Sequence, residues 1–150
     1  MALDNAPMKI DLTRVDEFER QLGQVAAFRR ARDFMIDYVS KIRNPLPVVA
    51  AEGLAIARKF QDAEVGSDQL QKARINCWNY LDERSASTDF ATPEYCVIRA
   101  AICFLDQGSV RGGDAIDLVD LFLDLMGKFE TPSNEAAVLL REYFPLEQIS

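Results

Sequence analysis

The sequence predicts an all-α protein: a single-domain bundle of six or seven helices with short loops. Three observations predict it. Apolar residues recur at spacings of three and four along most of the chain. Asn44-Pro45, Thr92-Pro93 and Thr131-Pro132 each place a cap residue before a proline, the usual opening of a helix. No stretch alternates at period two with β-branched enrichment, and no long self-similar repeat or low-complexity segment occurs.

Residues 1–12 read as a lead-in whose Leu3, Met8, Ile10 and Leu12 can pack down, and residues 13–150 as one helical domain. Thr13 is the expected N-cap of the first helix, with Asp16 and Glu17 at its positive end. Val15, Phe18, Leu22 and Val25, then Phe34, Met35, Tyr38, Val39 and Ile42, form its stripe. Gly23 leaves open one long helix or two abutting ones, ending near Arg43. Asn44-Pro45 opens the next helix, running to about Asp62 with Leu46, Val49, Leu54, Ala57 and Phe60 inward. After the turn Glu64-Val65-Gly66, Ser67 caps a helix with the stripe Leu70, Ala73, Cys77, Trp78, Leu81. Ser85 to Phe90 reads as a polar loop. The helix opened by Thr92-Pro93-Glu94 is apolar almost all round, which predicts the central buried position. Gly108 stops it, Gly112-Gly113 turn the chain, and Asp114 caps a helix reaching about Met126. The last helix follows Thr131-Pro132, carries Ala137, Leu140 and Phe144, and stops at Pro145.

A chain of 150 residues suits one domain. It buries about 70% of its unfolded surface and needs no disulfide or metal staple. There is no histidine, which excludes His-based acid–base chemistry, Ser-His-Asp and Cys-His catalysis, and imidazole-ligated haem, zinc or di-iron. No Walker or dinucleotide glycine pattern occurs. Residues 1–66 balance in charge, so the whole net −7 lies in residues 67–150. That surface repels phosphate backbones and anionic lipid and suits a basic protein partner. No nucleic-acid or membrane partner and no cofactor or metal is therefore expected, while a homo-oligomer stays open. Three cysteines without a C-x-x-C pattern read as reduced, intracellular thiols. With no signal-peptide pattern at the N-terminus and no long apolar run, a cytoplasmic location is expected.

The sharpest pattern is the row Asp114, Asp117, Asp120 and Asp124. At helical pitch these residues span an arc of roughly 120°, with Leu121 inside it and Ile116, Leu118, Val119, Phe122, Leu123, Leu125 and Met126 opposite. No basic residue lies between Asp114 and Leu125. Like charges at helical spacing cost a few tenths of a kcal/mol each. A solvated face, a partner-binding face anchored by Leu121, and one half of a Mg²⁺ site are the three readings, the third with Asp16-x-x-Glu19 as its second half. Tyr80, Asp82 and Glu83, an aromatic beside carboxylates, form a second candidate contact surface. Arg29-Arg30-x-Arg32 reads as a surface ion-pair network before it reads as a phosphate site, and Cys77, Cys96 and Cys103 as buried structural thiols.

The segment from Phe60 to Arg74, closing with Trp78 and Leu81-Asp82, resembles the helix–acidic turn–helix of small all-helical bacterial immunity proteins. Arg99-Ala-Ala-Ile-Cys103 suits the same pattern, whereas the acidic helix 114–124 lies outside it. The resemblance implies a cytoplasmic protein that binds and inactivates a cognate toxin without catalysis of its own. Two other classes stay open: a Mg²⁺-dependent all-α nucleotide pyrophosphohydrolase and a helical adaptor or regulatory domain.

Overall fold

The computed structural model describes residues 11–42, 44–106, 114–130 and 134–145, and these are all helix and connection, without a strand. Seven helices follow one another: α1 (Thr13–Leu22), α2 (Gln24–Ser40), α3 (Val48–Gln61), α4 (Ser67–Glu83), α5 (Pro93–Leu105), α6 (Ala115–Phe129) and α7 (Asn134–Tyr143). The fold is built around α5. Every residue from Cys96 to Leu105 is buried, as its all-round apolar character predicts. α3, α4 and α6 pack on α5, α2 touches it and α6, and α1 and α7 close the bundle over α2. One continuous core results, with Phe34, Phe104, Phe122 and Phe144 fully buried.

Gly23 decides the first helix in favour of two abutting ones. Its φ of +96° with ψ of 163° is open to glycine alone, and it turns the chain with no further loop residue. The turn also breaks the phase of the apolar stripe. Leu22 and Val25, expected inward, are exposed, and Ala27 and Phe28 take over the core face. Thr13 is not the cap either. It lies in the first turn, and the Asp11 carboxylate accepts a hydrogen bond from its backbone N–H at 3.2 Å and another from its hydroxyl.

Asn44-Pro45 does not open α3. Pro47 keeps Leu46 out of helical conformation, so α3 begins only at Val48. Asn44 instead ties the chain to the end of α6: its amide nitrogen donates to the Phe129 carbonyl at 3.2 Å, its backbone N–H to Glu130 at 3.3 Å. The inward face of α3 is Ala50, Gly53 and Ala57, with Val49, Leu54 and Phe60 only half-buried beside it. Small residues let α3 approach closely; a Cβ on Gly53 would stand 3.0 Å from Leu105 Cδ1. Trp78, expected in the core, is also half-buried.

α3 and α4 end in left-handed backbone that is not supplied by glycine. Ala63 (φ 59°) and Ser85 (φ 53°) take the left-handed position after α3 and α4. The Glu64 and Ala86 N–H groups reach back to the Lys59 and Leu81 carbonyls, both at 2.8 Å. Gly66 rather than Ser67 stands before α4, while Thr92 and Asp114 hold the cap positions of α5 and α6 as expected. α6 runs on to Phe129, beyond the expected Met126. The expectations for Leu3, Met8, Ile10, Arg43, Gly108, Gly112-Gly113 and Thr131-Pro132 lie outside the described residues.

Candidate partner-binding face

α6 is amphipathic, and its packing sorts its residues cleanly. Ala115, Val119, Phe122, Leu125 and Met126 are buried against the bundle, with Ile116, Leu118 and Leu123 half-buried at the margins. Asp114, Asp117, Asp120 and Asp124 are exposed, and Leu121 among them keeps 48% of its surface in water. Among the described residues no basic side chain forms an ion pair with these four aspartates. Lys128, four residues beyond Asp124, falls just outside the window without basic residues, and its ammonium donates to the Phe90 carbonyl at 2.6 Å.

The start of α6 is held from α1. The Glu19 carboxylate accepts from the Ala115 N–H at 2.9 Å, while Asp114 makes no side-chain cap bond. A carboxylate at this end also complements the helix dipole. The sequence offers no local signal for this contact, which joins residues 96 apart. Asp16, the other half of the expected row on α1, is paired with Arg20 at 3.2 Å. Among the described residues no three Cys, Asp or Glu side chains converge as a metal would require.

Two residues of the second surface, Tyr80 and Glu83, have side-chain partners. The Tyr80 hydroxyl donates to Glu94 at 2.9 Å, and the burden of that carboxylate raises the phenol's pKa. The Arg84 guanidinium lies 3.6 Å over the Tyr80 ring and 3.8 Å from Glu83. Asp82 and Glu83 are exposed at the end of α4, on a different element from the α6 row.

Two arginines of the cluster also reach backbone carbonyls. Arg30 donates to the Tyr143 carbonyl at 3.3 Å, and Arg32 to the Asp106 carbonyl, so both serve the negative ends of helices α7 and α5. Arg32 also lies 5.3 Å over the Phe60 ring, and burial lowers its pKa. Arg29, Arg32, Asp33, Phe60, Gln61, Asp62 and Tyr143 line an open cleft of about 530 Å³, and among these residues cations and carboxylates balance. All three cysteines are buried free thiols, and burial pushes Cys77 up to about 12.

Sequence reasoning missed one element, the connection before α5. It holds a half-exposed Phe90 braced by the buried Arg99. The pair Asp89 and Thr92, spaced for a side-chain-to-backbone turn, is the only signal that marks it as structured.

The described residues thus form an all-helical bundle, and among them the aspartates on the outer face of α6 have no ion-pair partner. No helix among the described residues is long and apolar enough to cross a membrane. Comparison with known proteins finds no family model, no characterised relative and no solved structure that matches the chain.

Proposed function

We propose that this chain is a binding protein of immunity type, which neutralises a cognate bacterial toxin by direct contact through the outer face of α6. The observation that carries the reading is Leu121, a half-exposed leucine inside four exposed aspartates that make no ion pair among the described residues. The toxin's contact surface is basic, and the encounter takes place in the cytoplasm. Unpaired carboxylates at helical spacing repel one another mildly in the free protein. An incoming Lys or Arg relieves that repulsion and steers the encounter. Leu121 adds the apolar centre that a polar rim shields from water. The Tyr80 surface supports the reading less, because Tyr80 and Glu83 already have partners. The resemblance of the 60–82 segment to immunity proteins points the same way.

The test is to purify the chain with the product of the reading frame beside its gene. The expected result is a stoichiometric complex that salt weakens and that abolishes the partner's toxicity. Absence of a complex, or release of pyrophosphate from nucleotides by the chain with Mg²⁺, would overturn the reading. A partner that proves to be a non-toxic housekeeping protein would replace it with the adaptor class.

A further inference from the structure

Phe90 keeps 50% of its surface exposed, yet the backbone on both sides of it is tied down and a guanidinium lies over its ring. The Asp89 carboxylate accepts from the Ala91 N–H at 2.8 Å, the Thr92 N–H at 2.9 Å and the Thr92 hydroxyl at 2.7 Å, which fixes the turn around it. The Phe90 carbonyl accepts from Lys128 at 2.6 Å and from the Cys96 thiol at 3.3 Å. The Arg99 guanidinium lies 4.0 Å from the centre of the Phe90 ring.

Arg99 is the unusual member. It is the one buried charged residue among the described ones, at 8% exposure in the middle of α5. A buried cation is costly unless its donors are used. Its donors go to the same connection, to the Asp89 carbonyl at 3.4 Å and the Ala86 carbonyl at 3.5 Å. The core therefore carries a charge whose contacts hold a loop that leaves an aromatic ring in water. A core with Leu at this site would be simpler if the loop had only to connect two helices.

Phe90 is also tied to α6 through Lys128. Lys128, which holds its carbonyl, follows Leu121 by seven residues, so both lie on one line of the helix about 10 Å apart. Asp124 lies between them.

We propose that Phe90 is a pre-positioned aromatic anchor of the same interaction face as Leu121, and that the protein partner offers two apolar pockets within a basic surface. The proposal rests on the reading of α6 as a binding face and deepens it. An aromatic ring fixed before contact loses little conformational entropy on binding, which is why such residues concentrate interface energy. The acidic flank of Asp124, Asp120 and Asp117 selects a basic protein, and the chain's net charge of −7 favours it at long range.

The experiment has two arms. In the first, 4-fluorophenylalanine replaces Phe90 and its fluorine resonance is recorded on the chain alone. One line displaced from the free amino acid is expected, moving towards the free value in Arg99→Met. A free-value line in the otherwise unaltered chain would overturn the pre-positioning. In the second, binding of the neighbouring-frame product is followed with Phe90→Ala, Phe90→Tyr and the remote Val138→Ala. Phe90→Ala is expected to weaken binding about tenfold or more through faster dissociation, with the other two near the unaltered chain. Binding that Asp117→Asn/Asp120→Asn weakens but Phe90→Ala does not would overturn this inference and leave the α6 reading standing. No binding by the unaltered chain would overturn both. Self-association of the chain alone that Phe90→Ala abolishes would assign the face to a second copy and overturn the partner named here.

Discussion

Removing the Glu19 carboxylate tests how the candidate face is held in place. Its 2.9 Å bond to the Ala115 N–H is the side-chain acceptor at the start of α6, since Asp114 makes none. Glu19→Ala removes a cap, at a cost of about 1 kcal/mol. It also removes a negative charge from the positive end of the helix, which adds roughly 0.3–1 kcal/mol. The expected total is about 1.5 kcal/mol, or a fall in Tm of roughly 3–6 °C at this chain length. Glu19→Gln keeps an acceptor and loses only the charge, so it should cost less than half as much. Urea unfolding gives the totals, and hydrogen exchange at the Ala115 amide gives the local effect. A Glu19→Ala chain within about 0.3 kcal/mol of the original, or an Ala115 amide that exchanges no faster, would refute the reasoning, since a lost cap costs at least about 0.5 kcal/mol.

Four further outcomes are expected. Ile98→Ala and Ile102→Ala empty space in the buried helix α5 and should each cost about 2–5 kcal/mol in urea unfolding; a loss below about 1 kcal/mol would contradict their placement. Ala63→Gly and Ser85→Gly relieve left-handed backbone after α3 and α4 and should stabilise by up to about 1 kcal/mol in the same assay. Stability should fall with rising alkalinity, because Cys77 and Tyr143 are both pushed up to about 12 by burial. The folded chain then holds protons that the unfolded chain gives up from pH ~9 for the thiol and ~10 for the phenol, and Cys77→Ala with Tyr143→Phe should flatten that alkaline limb. Calorimetry with Mg²⁺, Mn²⁺ and Ca²⁺ should find no site tighter than about millimolar, since one helix row offers ligands from one side only; micromolar binding abolished by Asp117→Asn would revive the hydrolase.

What the sequence made legible follows from which forces act locally. The all-apolar α5 and the two-sided α6 could be read because helical period alone sorts their residues. Leu121 was legible for the same reason, as the one apolar residue on the wrong side of that period. The start of α3 was not, because the effect of Pro47 on Leu46 outweighed the cap–proline signal three residues earlier. Leu22 and Val25 were misplaced because a stripe cannot be followed through a residue at φ +96°. Large apolar residues drew attention on α3, whereas close approach to Leu105 gave the inner face to Ala50, Gly53 and Ala57. Glu19 on Ala115, Arg30 and Arg32 on helix-end carbonyls, and Arg99 beneath Phe90 join distant parts of the chain or act through the backbone. No spacing rule reaches them.

Binding kinetics at two salt concentrations separate the roles proposed for the aspartates and for Leu121 on α6. Asp117→Asn/Asp120→Asn should slow association of the neighbouring-frame product and weaken its salt dependence, with dissociation little changed. Leu121→Ala should speed dissociation and leave association and its salt dependence intact. Unchanged rates in both variants would contradict a binding face on α6 and move the interface to Tyr80, Asp82 and Glu83.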